Sequence, residues 1–134
     1  MPFIEFTPKE KVNVKILDEQ HEQLAALFNV LHSNLDESKR ELAAETLKAI
    51  IDLVEKHFFA EERLMKQFRF TGYFSHKLEH DRFYNKLLLL ADKYKKGEES
   101  IGERELDGFK QWFFNHIELN DKKCGEFLSS QGIN

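Results

Sequence analysis

The sequence predicts an all-α protein, an antiparallel up-down-up-down four-helix bundle with an extended N-terminal arm. Three observations favour this fold. Apolar residues recur at steps of three and four along four segments, which is the spacing of helices packed nearly parallel to their neighbours. The breaks between these segments are short, so each helix should run antiparallel to the one before it. Two prolines and six glycines are few for 134 residues, which favours long helices.

The N-terminal boundary of the bundle is predicted at Asp18, a favourable residue for capping the first helix. Residues 1–17 should form an arm, because Val12, Val14 and Ile16 alternate with polar residues. Such alternation is typical of extended chain with one buried face. We therefore expect a single domain over residues 1–134, with the arm packed along a bundle of residues 18–134.

The other helix ends are predicted from local signals. Ser38 and Glu41 have the spacing of a capping box that would open the second helix, and Ser100 and Glu103 repeat it for the fourth. Gly97 follows a run of lysines and should close the third helix.

Composition and charge exclude several classes of function. The formal net charge of −4 offers no basic stripe to neutralise the phosphates of a nucleic acid. The longest aliphatic run, 87–90, is far below the ~20 residues of a membrane-spanning helix, and residues 1–11 lack the layout of a signal peptide. Cys124 is the single cysteine, so no internal disulfide or cysteine-pair metal site can form. We expect an inert buried thiol and a cytoplasmic protein.

The informative feature is the polar residues on the inward-facing seams, whose course the flanking Leu and Phe residues define. Five of the six histidines lie there: His21, His57, His76, His80 and His116. A single seam histidine is usually an ordinary core residue, but five buried imidazoles need hydrogen-bond partners or a metal. Glu61 follows His57 by one turn on the same face, and His76 and His80 have the same spacing. His32 lies off the seam and should be a surface residue.

A second inward-facing carboxylate is predicted at Asp121, five residues after His116. In a regular helix this spacing would turn the side chain about 140° away from the starting face. The apolar stripe also shifts here, to Ile117, Cys124 and Leu128, as if one residue were inserted. We therefore expect a local widening of the fourth helix between His116 and Asp121, such as a single π-type turn.

The predicted ligand set indicates the metal chemistry. One ion could not use five imidazoles and two carboxylates with ordinary geometry, whereas two ions could, with the carboxylates bridging them. Nitrogen and oxygen donors suit iron, manganese or zinc. Oxygen-activating di-iron bundles use mainly carboxylates. Here neutral imidazoles outnumber carboxylates five to two, which favours ferrous iron and reversible binding over cleavage of the O–O bond.

The chain resembles the hemerythrin family, in its single-domain bacterial form, over essentially its whole length. The matching motifs are DEQH at 18–21, HFFAEE at 57–62, HKLEH at 76–80 and WFFNHI at 112–117, with Asp121 after the last. The resemblance implies a non-haem di-iron centre that binds dioxygen reversibly, in an oxygen carrier or store that is not an enzyme. One iron would be held by His76, His80 and His116 and the other by His21 and His57, with Glu61, Asp121 and an oxo or hydroxo group bridging both.

The iron with two histidines would keep an open position for dioxygen. Apolar residues within a turn of the ligands should form the wall of the oxygen pocket: Leu24, Phe58, Trp112, Phe113 and Ile117. A dry wall slows autoxidation, since that reaction needs water or protons.

Two positions depart from the family pattern. The arm has Phe6 where the family often has Trp, and Cys124 stands where a Tyr often follows the bridging Asp. Two alternative functions use the same site: an oxygen- or redox-sensing module, and a di-iron oxidase or nitric-oxide-handling enzyme. A carrier would also need an oxygen-consuming recipient, which the sequence does not identify.

Overall fold

The computed structural model describes residues 2–98 and 100–134, and over these residues its regular secondary structure is entirely helical. The helices are α1 (Lys15–His32), α2 (Arg40–Gln67), α3 (Tyr73–Lys95), α4 (Glu103–His116) and α5 (Lys122–Ser130), with 3-10 turns at Pro8–Glu10 and Glu37–Lys39. Helix α2 packs against α1, α3 and α5, and α1 also packs against α4. The predicted four-helix bundle is confirmed, with α4 and α5 together forming its fourth helix.

The fourth helix contains the predicted widening. Residues Ile117–Asp121 form a π-helical turn between α4 and α5. At its end the backbone N–H of Lys122 donates to the carbonyl of Ile117, five residues earlier, instead of four as in an α-helix. The extra residue restores Asp121 to the inward face that His116 occupies, which is the reason the sequence pattern shifts at this point.

The N-terminal arm is shorter than predicted. Helix α1 begins at Lys15, and Asp18 lies in its first turn instead of capping it. The Asp18 carboxylate accepts the backbone N–H groups of Val12 at 2.8 Å and Asn13 at 3.1 Å, so it fixes the arm to the helix. Val12 is buried as predicted, whereas Ile16 belongs to the helix and is half exposed, because the helical period replaces the alternating one here.

Neither predicted capping box forms. Helix α2 begins at Arg40 without a side-chain cap, because Asp36 takes the N–H of Ser38 at 3.1 Å and starts a 3-10 turn there. Helix α4 begins after Gly102, whose N–H donates to Glu105 Oε2 at 3.0 Å. Gly97 does close the third helix, in the left-handed conformation with φ +76°.

The core follows the predicted seams. Its largest fully buried side chains come from all of the helices and from the arm: Ile4, Leu17, Phe28, Leu31, Leu47, Ile50, Met65, Leu87, Leu106, Ile117 and Leu128. Met65 is fully buried, whereas the adjacent Leu64 is half buried. Among the described residues, no helix combines the length and apolar character needed to span a bilayer.

The arm approaches the fourth helix most closely at Gly125. A Cβ atom added there would lie 2.3 Å from the carbonyl oxygen of Val12, so a side chain would force the backbones apart. A Cβ atom added at Gly108, also inside a helix, would meet no atom within 4 Å.

These two glycines form a matched pair for a stability test. We expect Gly125→Ala to lower the free energy of unfolding by about 2 kcal/mol, since it overpacks the contact between arm and helix. Gly108→Ala should instead raise it by about 1 kcal/mol, because alanine favours the helix and nothing opposes its methyl group. Urea unfolding of the two variants and the parent measures both changes. Equal effects would contradict the close packing of the arm.

Candidate metal centre

The structure brings all seven predicted ligands into one cluster at the centre of the bundle. Helices α1, α2, α3 and α4 and the π turn each contribute, and every one of the seven side chains is buried. Their donor atoms form two groups, each with all atoms within 4.8 Å of one another. The first group is Glu61, His76, His80, His116 and Asp121, and the second is His21, His57, Glu61 and Asp121.

The two carboxylates lie between the groups and belong to both. Asp121 Oδ1 lies 2.9 Å from His116 Nε2 and 3.0 Å from His76 Nε2, while its Oδ2 lies 3.1 Å from His21 Nε2. Glu61 has one oxygen in contact with His76 and the other 3.4 Å from His57 Nε2. Each carboxylate thus faces one group with one oxygen and the other group with its second oxygen.

Three of the carboxylate oxygens lack the hydrogen-bond partners that burial normally demands. Both oxygens of Glu61 and Oδ1 of Asp121 are buried without an aligned donor. An unsatisfied buried carboxylate is strongly destabilising. Imidazole nitrogens and carboxylate oxygens crowd the same space, as expected when their lone pairs face a shared cation. The residues therefore fit a pair of metal ions with bridging carboxylates.

The electrostatics of the carboxylates are unequal. Burial raises the pKa of the Glu61 carboxyl to about 7, and the charge of Asp121 adds to the rise. Burial alone would also raise the pKa of Asp121, but His116 and two further histidines hold it well below its usual range. In the absence of a cation the pair therefore resists carrying two negative charges, which a bound metal would relieve.

The histidines also differ from one another in the direction in which their pKa values are shifted. Burial lowers the pKa of His80 to about 2 and, helped by His21, holds that of His57 well below its usual value. Burial alone would lower the pKa of His76 as well, but the carboxylates of Asp121 and Glu61 raise it to about 10. His57 and His80 are therefore neutral and ready to donate to a metal, whereas His76 must first lose a proton.

Two residues that the sequence analysis missed hold the outer nitrogens of the ligand rings. The Nδ1–H of His57 donates to Gln20 Oε1 at 2.7 Å, and the Nδ1–H of His80 donates to Glu62 Oε2 at 2.8 Å. These bonds direct the Nε2 atoms of both rings towards the carboxylates. Gln20 and Glu62 are each adjacent in sequence to a ligand and lie within the motifs DEQH and HFFAEE, but those motifs did not indicate what the two side chains bind.

A small cavity of about 10 Å³ is lined by His21 and His57 of the second group and by His116 of the first. It is large enough for a guest of about the size of one water molecule. Four of the five predicted pocket residues line it: Leu24, Phe58, Trp112 and Phe113. Three further apolar side chains complete the wall: Phe28, Val54 and Phe83. Ile117 is buried but does not line this cavity, and its place in the wall of the oxygen pocket stays a prediction.

The other residues singled out in the sequence lie outside the cluster. His32 is partly exposed, stacks on Phe3 with ring centroids 4.2 Å apart and lies 3.2 Å from Glu103. Phe6 lies in the arm with its ring centroid 6.1 Å from that of His21. Cys124 is a buried free thiol as predicted, and burial raises the pKa of this group.

Comparisons with known proteins agree with this geometry. The hemerythrin HHE cation binding domain model matches residues 12–128. A hemerythrin-like protein of Naegleria gruberi is 37% identical over 107 residues, which cover 80% of this chain and 78% of that protein. A bacteriohemerythrin of Methylococcus capsulatus is 31% identical over 118 residues, which cover 88% and 90%.

A solved structure extends the similarity to the whole fold. The crystal structure of a wild-type hemerythrin superposes with a TM-score of 0.91 at 30% identity, over 95% of this chain and 98% of that one. The family model spans most of the chain, and the domain it describes implies a di-iron centre. The chain belongs to the hemerythrin family.

Proposed function

We propose that this protein binds dioxygen reversibly, as a carrier or store, at two irons held by the seven clustered residues. His76, His80 and His116 would hold one iron, His21 and His57 the other, and Glu61 and Asp121 would bridge them together with an oxo or hydroxo group. The observation that carries the proposal is a small, mainly apolar cavity that is lined by both histidines of the two-histidine group but by only one histidine, His116, of the other group. The irons, when bound, supply the electrons that dioxygen takes up.

The ligand balance supports binding without cleavage of the O–O bond. Five neutral imidazoles and two carboxylates leave little negative charge to stabilise high oxidation states of iron. The two carboxylates are also the groups shared by both metal positions, so neither position has a carboxylate of its own.

The lining of the cavity supports a binding protein over an enzyme. Its titratable members are His21, His57, His116 and Asp121, and all four belong to the proposed ligand set. The cavity therefore offers no additional acid or base that could act on a substrate. Its small volume of about 10 Å³ also favours a diatomic guest over an organic substrate.

The proposal is tested by anaerobic reduction of the iron-loaded protein followed by exposure to oxygen. We expect two irons per chain and charge-transfer absorption bands that vanish on degassing. His116→Ala should lose iron and these bands, because His116 lies between His76 and His80 with Nε2 atoms 3.1 Å from each. His32→Ala removes a histidine outside the cluster and serves as the control. Irreversible bleaching with release of peroxide would instead indicate an oxidase or a sensor.

A second prediction concerns Trp112, which is half buried between the cavity and solvent. Its indole stacks on His116 and on Phe83, with ring centroids 4.5 Å and 3.8 Å apart. We expect Trp112→Ala to admit water and to speed autoxidation roughly tenfold, equivalent to about 1.4 kcal/mol. Trp112→Phe keeps an aromatic wall and should change the rate far less. Equal autoxidation rates in the parent and the alanine variant would show that the indole does not exclude water.

A third prediction concerns pH. Because the pKa of His76 is about 10 in the metal-free protein, a metal ion must displace its proton at neutral pH. Affinity for Co²⁺ should therefore rise about tenfold per pH unit between about pH 8 and pH 9, where Glu61, with a pKa of about 7, is already ionised. Below pH 7 the slope should steepen, since Glu61 then also holds a proton. Titration by cobalt absorbance measures both slopes, and a flat profile would contradict the assignment.

A further inference from the structure

The hydrogen bonds to the outer nitrogens of two proposed ligands differ in charge. His57 Nδ1 bonds the amide oxygen of Gln20, a neutral and buried side chain. His80 Nδ1 bonds a carboxylate oxygen of Glu62, whose side chain is 19% exposed. The two hydrogen bonds have similar lengths, 2.7 Å from His57 Nδ1 to the Gln20 oxygen and 2.8 Å from His80 Nδ1 to the Glu62 oxygen. Only Glu62 is an anion.

The two histidines also belong to different metal positions. His57 lies in the group with His21, and His80 lies in the group with His76 and His116. The cavity is lined by His57 but not by His80 or Glu62, so the anionic partner does not border the cavity.

The surroundings keep these two bonds distinct. The ring of His80 is stacked on Phe58, with centroids 3.8 Å apart and planes 1° apart, so its orientation is fixed towards Glu62. The nearby Lys77 is paired with Asp81, whose two oxygens lie 3.0 Å and 2.9 Å from Lys77 Nζ. Together Glu62, Lys77 and Asp81 therefore carry one net negative charge beside His80.

Hydrogen bonding to a carboxylate makes an imidazole a stronger donor to a metal than hydrogen bonding to a neutral amide does. We propose that Glu62 and Gln20 are positioning residues that make the two metal positions electronically unequal, with ferric iron favoured at the position of His80 and ferrous iron at that of His57. This inference rests on the proposed di-iron centre. On this inference the iron at the position of His57, beside the cavity, returns more readily to the ferrous state, and that return accompanies release of dioxygen.

The test exchanges charge while it keeps the hydrogen-bond acceptors. Glu62→Gln and Gln20→Glu are compared with the parent in iron-loaded protein, by anaerobic spectroelectrochemistry and by Mössbauer spectra of ⁵⁷Fe at half reduction. Glu55→Gln removes a charge from an exposed position on the same helix and is the control.

We expect Glu62→Gln to shift the ferric–ferrous equilibrium about tenfold towards ferrous, which is about 59 mV for one electron. Gln20→Glu should shift it by a similar factor towards ferric, and Glu55→Gln by less than twofold. The double exchange Gln20→Glu/Glu62→Gln leaves the total charge unchanged, so the mean potential should equal that of the parent. The rate of oxygen release should fall, because the anionic partner then lies at the position of His57. A purely structural role for Glu62 would alter iron retention without these opposite shifts.

Failure of this inference is distinguishable from failure of the proposed function. If the parent binds oxygen reversibly and Glu62→Gln has the potential of Glu55→Gln, the charge asymmetry is refuted and the oxygen-binding function stands. If the potentials shift as expected but oxygen oxidises the parent irreversibly, the asymmetry stands and the carrier function is refuted. Should Glu62→Gln fail to retain iron, Gln20→Glu decides the matter alone, since an unchanged potential in that variant overturns the inference.

Discussion

The burial of two carboxylates among five imidazoles is the constraint on which the rest of the structure depends. Glu61 and Asp121 are 0% and 1% exposed, and three of their four oxygens have no aligned hydrogen-bond donor. An uncompensated buried charge destabilises a fold by several kcal/mol. Within a stability margin of about 5–15 kcal/mol such a cluster is costly, and without metal the protonated His76 offsets only part of its negative charge. The apolar residues of the four seams are therefore arranged around a polar centre that a bound cation would stabilise.

The same constraint explains the irregular fourth helix and the arm that packs on it. A regular helix would carry Asp121 away from the cluster, and the π turn at Ile117–Asp121 returns it to within 2.9 Å of His116. One turn further on, Gly125 lets the backbone of Val12 approach more closely than any side chain would permit. Val12 is held in turn by the carboxylate of Asp18. The arm thus braces the fourth helix directly after its least regular turn.

The sequence predicted the bundle, the cluster and the π turn because each leaves a periodic trace. Polar residues on seams of Leu and Phe stand out, and a change of register within a seam indicates an inserted residue. Helix starts were less predictable, since their signals are local and tertiary contacts override them. Asp18 binds the arm, and Asp36 accepts the backbone N–H of Ser38, which the Glu41 side chain would have accepted in the expected capping box. Gln20 and Glu62 were missed because their partners are 37 and 18 residues distant in the chain.

The side on which the anionic partner lies has a physical reason. A carboxylate retains water strongly, and one that bordered the cavity would either draw water into it or lose hydration at a large energetic cost. Glu62 avoids both outcomes, since it contacts His80 from the partly exposed face between α2 and α3. His57, which lines the cavity, has as its corresponding partner the amide of Gln20, which has no charge to hydrate. Glu62 can therefore raise the electron donation of His80 to a bound metal without bordering the cavity that must stay dry.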